Sequence, residues 1–154
     1  MIRHTQQVII RRPLAEVFDF IAVHNPENHP KWEPEVIEVR RLTQGPLGVG
    51  SRLRTLRRDF GRVSEATDEV TEFITNQRIA FRRVDGPMDF EISFTFEHVS
   101  EGTQLRADVA AQPRGAMRVM SPLFRMRMPR IGGRITARLC ELLEGVPEPT
   151  TSVR

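Results

Sequence analysis

Hydrophobic positions change period three times along this chain, and each change marks an element. Residues 2–11 alternate loosely and carry the β-branched run Val8-Ile9-Ile10, which predicts a first strand ending at Arg11-Arg12-Pro13. Leu14, Val17, Phe18 and Ile21 then stand at i, i+3, i+4 and i+7, the template of a short amphipathic helix with Pro13 in its first turn. Asn25-Pro26-Glu27 repeats the start signal, with a side chain able to cap and an acid near the positive end of the helix dipole. A second short helix is therefore expected to reach about Trp32.

From Glu35 the period falls to two. Six strands are predicted, over 36–42, 51–58, 62–74, 78–84, 88–98 and 103–111. Short separators rich in Gly, Asn and Asp divide them, which makes neighbours antiparallel. In the clearest strand Met88, Phe90, Ile92, Phe94 and Phe96 share one face while acids and hydroxyls take the other. That strand has a dry face and a wet one.

After Pro113-Arg114-Gly115 the helical period returns. Met117, Met120, Phe124, Met128, Ile131, Ile135, Leu139 and Leu142 recur at steps of three and four, the stripe of a long helix. Ser121-Pro122 reads as a cap and first turn inside that stretch, so a separate turn is expected before it. Pro129 and Gly132-Gly133 weaken its middle, and a kink is expected near Met126–Met128. A single domain over 1–146 with a frayed tail over 147–154 follows.

Composition adds limits. Hydrophobic residues make up 39% and charged residues 28%, the balance of a packed globular domain. The pI of about 10.3 looks like a nucleic-acid signal, yet the formal net charge is only +3. Arginine reconciles them. Of the 23 basic residues only Lys31 is not Arg, and there is no Tyr, so almost nothing titrates between neutrality and about pH 10. No specific nucleic-acid partner is expected.

Cys140 is the only cysteine, which excludes an intrachain disulfide and points to a reducing compartment. Without a secretory h-region or a transmembrane run, a cytoplasmic location is expected. Gly45-Pro46-Leu47-Gly48-Val49-Gly50 lacks the Lys-Ser/Thr of a phosphate loop and reads as a turn. His4, His24, His29 and His98 lack metal spacing, so no metal and no cofactor is expected. Arg83 and His98 are the ionisable residues on the dry parity of their strands, and they are the weak candidates for chemistry. Arg127, Arg130, Arg134 and Arg138 form a basic strip on the long helix.

Pro13-Leu14-Ala15-Glu16-Val17-Phe18-Asp19-Phe20-Ile21, Asn28-His29-Pro30-Lys31-Trp32-Glu33-Pro34-Glu35-Val36 and the Gly45–Ser51 turn carry a family likeness. Leu139-Cys140-Glu141-Leu142-Leu143-Glu144 adds to it. The chain resembles the START-like (SRPBCC) superfamily, which includes polyketide cyclase/dehydrase-like proteins and Bet v 1-type lipid binders. The resemblance covers roughly residues 5–145. It implies an α+β helix-grip fold: a seven-stranded curved antiparallel sheet wrapped around a long C-terminal helix, with two short helices between strands 1 and 2.

It also implies a cavity for a hydrophobic small molecule. Its walls would be Ile79, Phe81, Phe90, Ile92, Phe94 and Phe96 on the sheet and Met117, Met120, Phe124, Met128 and Ile131 on the helix, with Trp32 at the mouth. The superfamily hosts many activities, so three functions stay open. They are a carrier or sensor of a lipid or polyketide-like ligand, a cyclase/dehydrase-like enzyme, and a protein or nucleic-acid interaction module. A monomer or homodimer suits each.

Overall fold

The structure, a computed structural model, describes residues 1–145. The first strand, β1 (Ile2–Ile10), leads into α1 (Leu14–Phe18), a π-helical turn (Asp19–Val23) and α2 (Asn25–Trp32). Strands β2 (Val36–Arg41), β3 (Arg52–Asp59), β4 (Arg62–Ile74), β5 (Arg78–Asp85), β6 (Met88–Val99) and β7 (Gly102–Pro113) follow. A 3-10 turn (Gly115–Met120) then precedes α3 (Ser121–Glu144). The frayed tail expected from the sequence lies outside the described residues.

All seven strands join one antiparallel sheet in the order β1-β7-β6-β5-β4-β3-β2. Consecutive strands β1 and β2 thus lie at opposite edges, and α1, the π turn and α2 bridge them. Register shifts in β2 (Val36/Glu38), in β4 (Val70/Glu72) and in β5 (Arg83/Asp85) add the local bends that curve a sheet. The concave face receives α3, which packs against β1 and α2. This is the helix-grip fold expected from the sequence.

The core sits under α1 and the second half of α3. Phe18 is its centre, edge-on to Phe73 at 5.5 Å and to Phe96 at 5.1 Å. Ile10, Val17, Ile21, Val70, Ile79, Leu105, Leu139 and Thr103 complete the set of large, fully buried side chains. Gly102 closes this end, because a Cβ there would lie 2.3 Å from the Ile10 carbonyl oxygen. With φ at +143°, only glycine lets the β6–β7 turn tuck beneath the end of β1.

Two expected caps are replaced. Asn25 lies inside α2, where its Nδ2 donates to the Ile21 carbonyl and satisfies an acceptor that the π turn leaves. Ser121 has helical φ and ψ and caps nothing. The separate turn before it is present as the 3-10 segment. Helix α3 is one segment of 24 residues in which Pro129 withholds the amide that would serve the Arg125 carbonyl.

Candidate functional site

The inner face of the sheet is legible from the register. Phe94 pairs with Ile79 and Ile92 with Phe81, and Phe90 stands opposite Ala111. Along β6 burial fades: Phe96 is 4% exposed and Phe94 8%, while Ile92, Phe90 and Met88 are only half-buried. Helix α3 shows the same gradient in the opposite chain direction. Leu139 is 1% exposed and Leu143 and Thr136 are buried, whereas Met128, Phe124 and the preceding Met117 are half-buried. The apolar side chains between helix and sheet are fully enclosed at one end and keep partial exposure at the other.

Polar groups stand on the same inner face. Arg83 Nε donates to Asp68 Oδ1 at 3.0 Å, and the two side chains are 11% and 14% exposed. The guanidinium lies over the Phe90 ring at 4.8 Å, which fixes its plane. On β1, His4 Nε2 and Gln6 Oε1 are 2.9 Å apart and face α3 at Gly132. A Cβ on Gly132 would lie 3.0 Å from the Gln6 amide, so the missing side chain is what admits this polar pair.

A second network holds α2 to the sheet. Glu33 accepts from His29 at 2.7 Å and from Arg57 at 2.7 Å, and Arg57 also reaches Asp59. Burial alone would raise the Glu33 carboxyl. The hydrogen bond and charge of His29, with the charge of Arg57, outweigh burial and hold it down to about 2. Trp32 belongs to this packing, stacked on His29 at 5.1 Å and tilted against Phe20 at 5.9 Å.

The Arg strip of α3 also has partners. Arg134 pairs with Glu35, Arg138 donates to the Lys31 carbonyl at 3.3 Å and pairs with Glu141, and Arg127 lies 5.0 Å above the Phe60 ring. These contacts tie one flank of α3 to α2 and to the β3–β4 turn, while Gly132 seats the other flank on β1. Arg130 has no ion-pair partner among the described residues. A cleft of about 270 Å³ opens where β1 and β7 meet the start of α3, lined by residues including Ile2, Gln112, Arg118 and Arg125.

A profile of the family described as polyketide cyclase / dehydrase and lipid transport matches residues 1–142. The chain belongs to this family. Solved structures agree on the fold. A START superfamily protein from Mycobacterium smegmatis superposes with a TM-score of 0.77 at 17% identity, over 92% of this chain and 97% of that one. A Chromobacterium violaceum protein gives 0.71 at 15% identity over 94% and 99%, and Ara h 8.0201 gives 0.63 at 13% over 89% and 96%. No curated protein matches the sequence.

Against the polyketide cyclase/dehydrase and lipid transport architecture, the expected wall residues divide into three groups. Phe90, Ile92, Met117, Phe124 and Met128 are the half-buried ones. Ile79, Phe81, Phe94, Phe96 and Trp32 are buried members of the core cluster. Met120 and Ile131 are 39% and 37% exposed. Ile131 misses the inner stripe because the position that meets β1 is Gly132, one residue on.

The two residues considered for chemistry are not brought together. Arg83 lies by Phe90, whereas His98 is exposed eight residues further along β6, about 26 Å at the rise of a strand. They cannot flank one small substrate. Asp68, His4, Gln6, Glu33 and Arg57 were missed by sequence reasoning. The bulges of β4 and β5 shift their parity, and the loose alternation of β1 gives no cue that His4 and Gln6 point inward. Cys140 is a weak nucleophile here, since burial and then Glu144 push its thiol up.

Proposed function

We propose that the chain binds a hydrophobic small molecule, lipid-like or polyketide-like, between the inner face of β5–β7 and the first half of α3, as a carrier or sensor. The observation that carries this reading is the fading burial along β6 and α3, which leaves Phe90, Ile92, Phe124 and Met128 half-exposed at one end of a well-packed core. Apolar walls with a few oriented polar groups are the usual make-up of a small-molecule site. Methionine suits a variable guest, because its unbranched chain adapts to irregular shapes. Membership of a family described in terms of lipid transport supports the same reading.

The test is thermal. At a ligand concentration about 100 times Kd, a fatty acid or polycyclic aromatic that fits should raise Tm by roughly 5 °C or more. Phe124→Asp should abolish the rise. No shift with any apolar compound, and no ligand retained after incubation with a hydrophobic extract, would remove the proposal. A reducing setting suits a chain with a single, free cysteine; among the described residues no helix is long and apolar enough to cross a membrane.

One observation favours turnover as a second reading. The Arg83 guanidinium is fixed by Asp68 and Phe90 while its Nη1 donates no hydrogen bond among the described residues, so it can hold a carbonyl oxygen of a bound polyketone. Cyclisation or dehydration of such a substrate by the wild type, lost in Arg83→Lys with ligand retention intact, would establish it. Unchanged product formation in Arg83→Lys would remove it.

A further inference from the structure

Ligand binding leaves one surface without a task. From Val109 to Cys140 the chain carries no acidic residue. Within the 3-10 turn and the first half of α3, Arg118, Arg125, Arg127 and Arg130 have no carboxylate partner among the described residues, while the flanking Arg114, Arg134 and Arg138 are each paired. Large apolar side chains stand exposed among these arginines: Val119 at 84%, Met126 at 74%, and Leu123. Leu123, Met126, Arg127 and Arg130 fall at i, i+3, i+4 and i+7, one outward face of α3.

The β3–β4 hairpin extends this face. Its two-residue loop is Phe60-Gly61, and the Arg127 guanidinium over the Phe60 ring places the tip beside α3. Both loop residues have positive φ, +52° at Phe60 and +75° at Gly61, the form that matches the twist of the strands. Asn or Gly meets that requirement without strain; an aromatic does not. The phenylalanine is nevertheless there, 76% exposed, where its ring contributes little to the core. An exposed aromatic held in a strained conformation points to a use outside the folded chain.

We infer that this face, made of the 3-10 turn, the first half of α3 and the Phe60 tip, docks the protein on an anionic lipid bilayer. Interleaved arginines and apolar side chains without acids fit the headgroup boundary, where the cations meet lipid phosphates and Phe60, Val119, Leu123 and Met126 enter the acyl edge. A nucleic-acid phosphate backbone would use the arginines and leave those apolar groups in water. The face lies on the same half of α3 as the proposed ligand site, so docking sets that site next to the phase in which an apolar guest dissolves. The contact stands on charge and exposure alone, independently of what that site holds.

Co-sedimentation of the full chain with vesicles tests it. The protein should pellet with phosphatidylglycerol/phosphatidylcholine vesicles at low salt, stay in solution with pure phosphatidylcholine, and be released as salt rises. The combined variant Arg127→Gln, Arg130→Gln should lower partitioning on the order of 10-fold. Phe60→Gly relieves the strained φ, so it should raise Tm by a few degrees and still weaken vesicle binding; a fold defect would move both downward.

Equal binding to both vesicle types, or full binding by the double variant, would overturn the inference. So would duplex DNA displacing the protein from vesicles, or self-association that Met126→Ser dissolves in their absence. Thermal shifts by apolar compounds in vesicle-free solution report on the proposed ligand site separately. Loss of one result with retention of the other identifies which of the two readings has failed.

Discussion

From Thr136 onward α3 lies in the core, with Leu139 and Leu143 against the cluster that surrounds Phe18. Upstream of Pro129 the same helix carries Phe124 and Met128 only half-buried, with Met126 almost free. The sheet repeats the division, since Phe94 and Phe96 are core residues and Phe90 and Ile92 are not fully enclosed. All six methionines lie outside the fully buried set, whereas that set is built of Phe, Ile, Leu, Val and Thr. Stiff side chains define the packed end, and adaptable ones stand at the more exposed end, where the proposed ligand would lie.

The largest expected effect separates the two ends. Phe18→Ala should cost about 3–5 kcal/mol, because a ring touching Phe73 and Phe96 leaves a cavity that the β-rich core cannot fill. Met128→Ala, at a half-buried position, should cost markedly less, about 1 kcal/mol. Urea denaturation of both variants measures the difference. Equal costs would mean that the more exposed end is as firmly packed as the core.

Next comes pH. Glu33 titrates near 2 in the folded chain and near 4.5 when unfolded, so its contribution is complete above about pH 4.5 and is lost as pH falls toward 2. The unfolding free energy from urea titration should therefore drop across that window, by on the order of 2–3 kcal/mol from this group. Glu33→Gln should flatten this part of the profile and lower stability at pH 7. A variant that retains the wild-type slope would place the acid sensitivity elsewhere.

The smallest effect compares adjacent glycines. Gly133 has open space where a Cβ would stand, so Gly133→Ala should stabilise the helix by up to about 1 kcal/mol. At Gly132 the added carbon meets His4 and Gln6 at 3.1 and 3.0 Å, which offsets the gain, and Gly132→Ala should be close to neutral. Thermal melts resolve the two. Equal stabilisation would show that the seat of α3 on β1 is loose.

Much of the fold could be read directly. The period-two runs place β4 at 62–74 as observed, and the parity of Phe90, Ile92, Phe94 and Phe96 is their inner face. The site was legible in direction and poorly so in extent. Alternation states which face a side chain takes; it does not state how close the opposing helix lies, and that distance separates core Phe94 from half-open Phe90. Nor does it register a bulge, so Asp68 could not be placed opposite Arg83. Gly132 read as a helix weakener because its contact is with a strand more than a hundred residues earlier.

The comparison between the two ends is tested most directly by methyl NMR of the full chain titrated with a long-chain fatty acid. The ε-methyl signals of Met117 and Met128 should shift or broaden, while the methyls of Leu105, Leu139 and Leu143 stay in place. Shifts spread evenly over both groups, or confined to the buried leucines, would contradict a ligand site at the more exposed end.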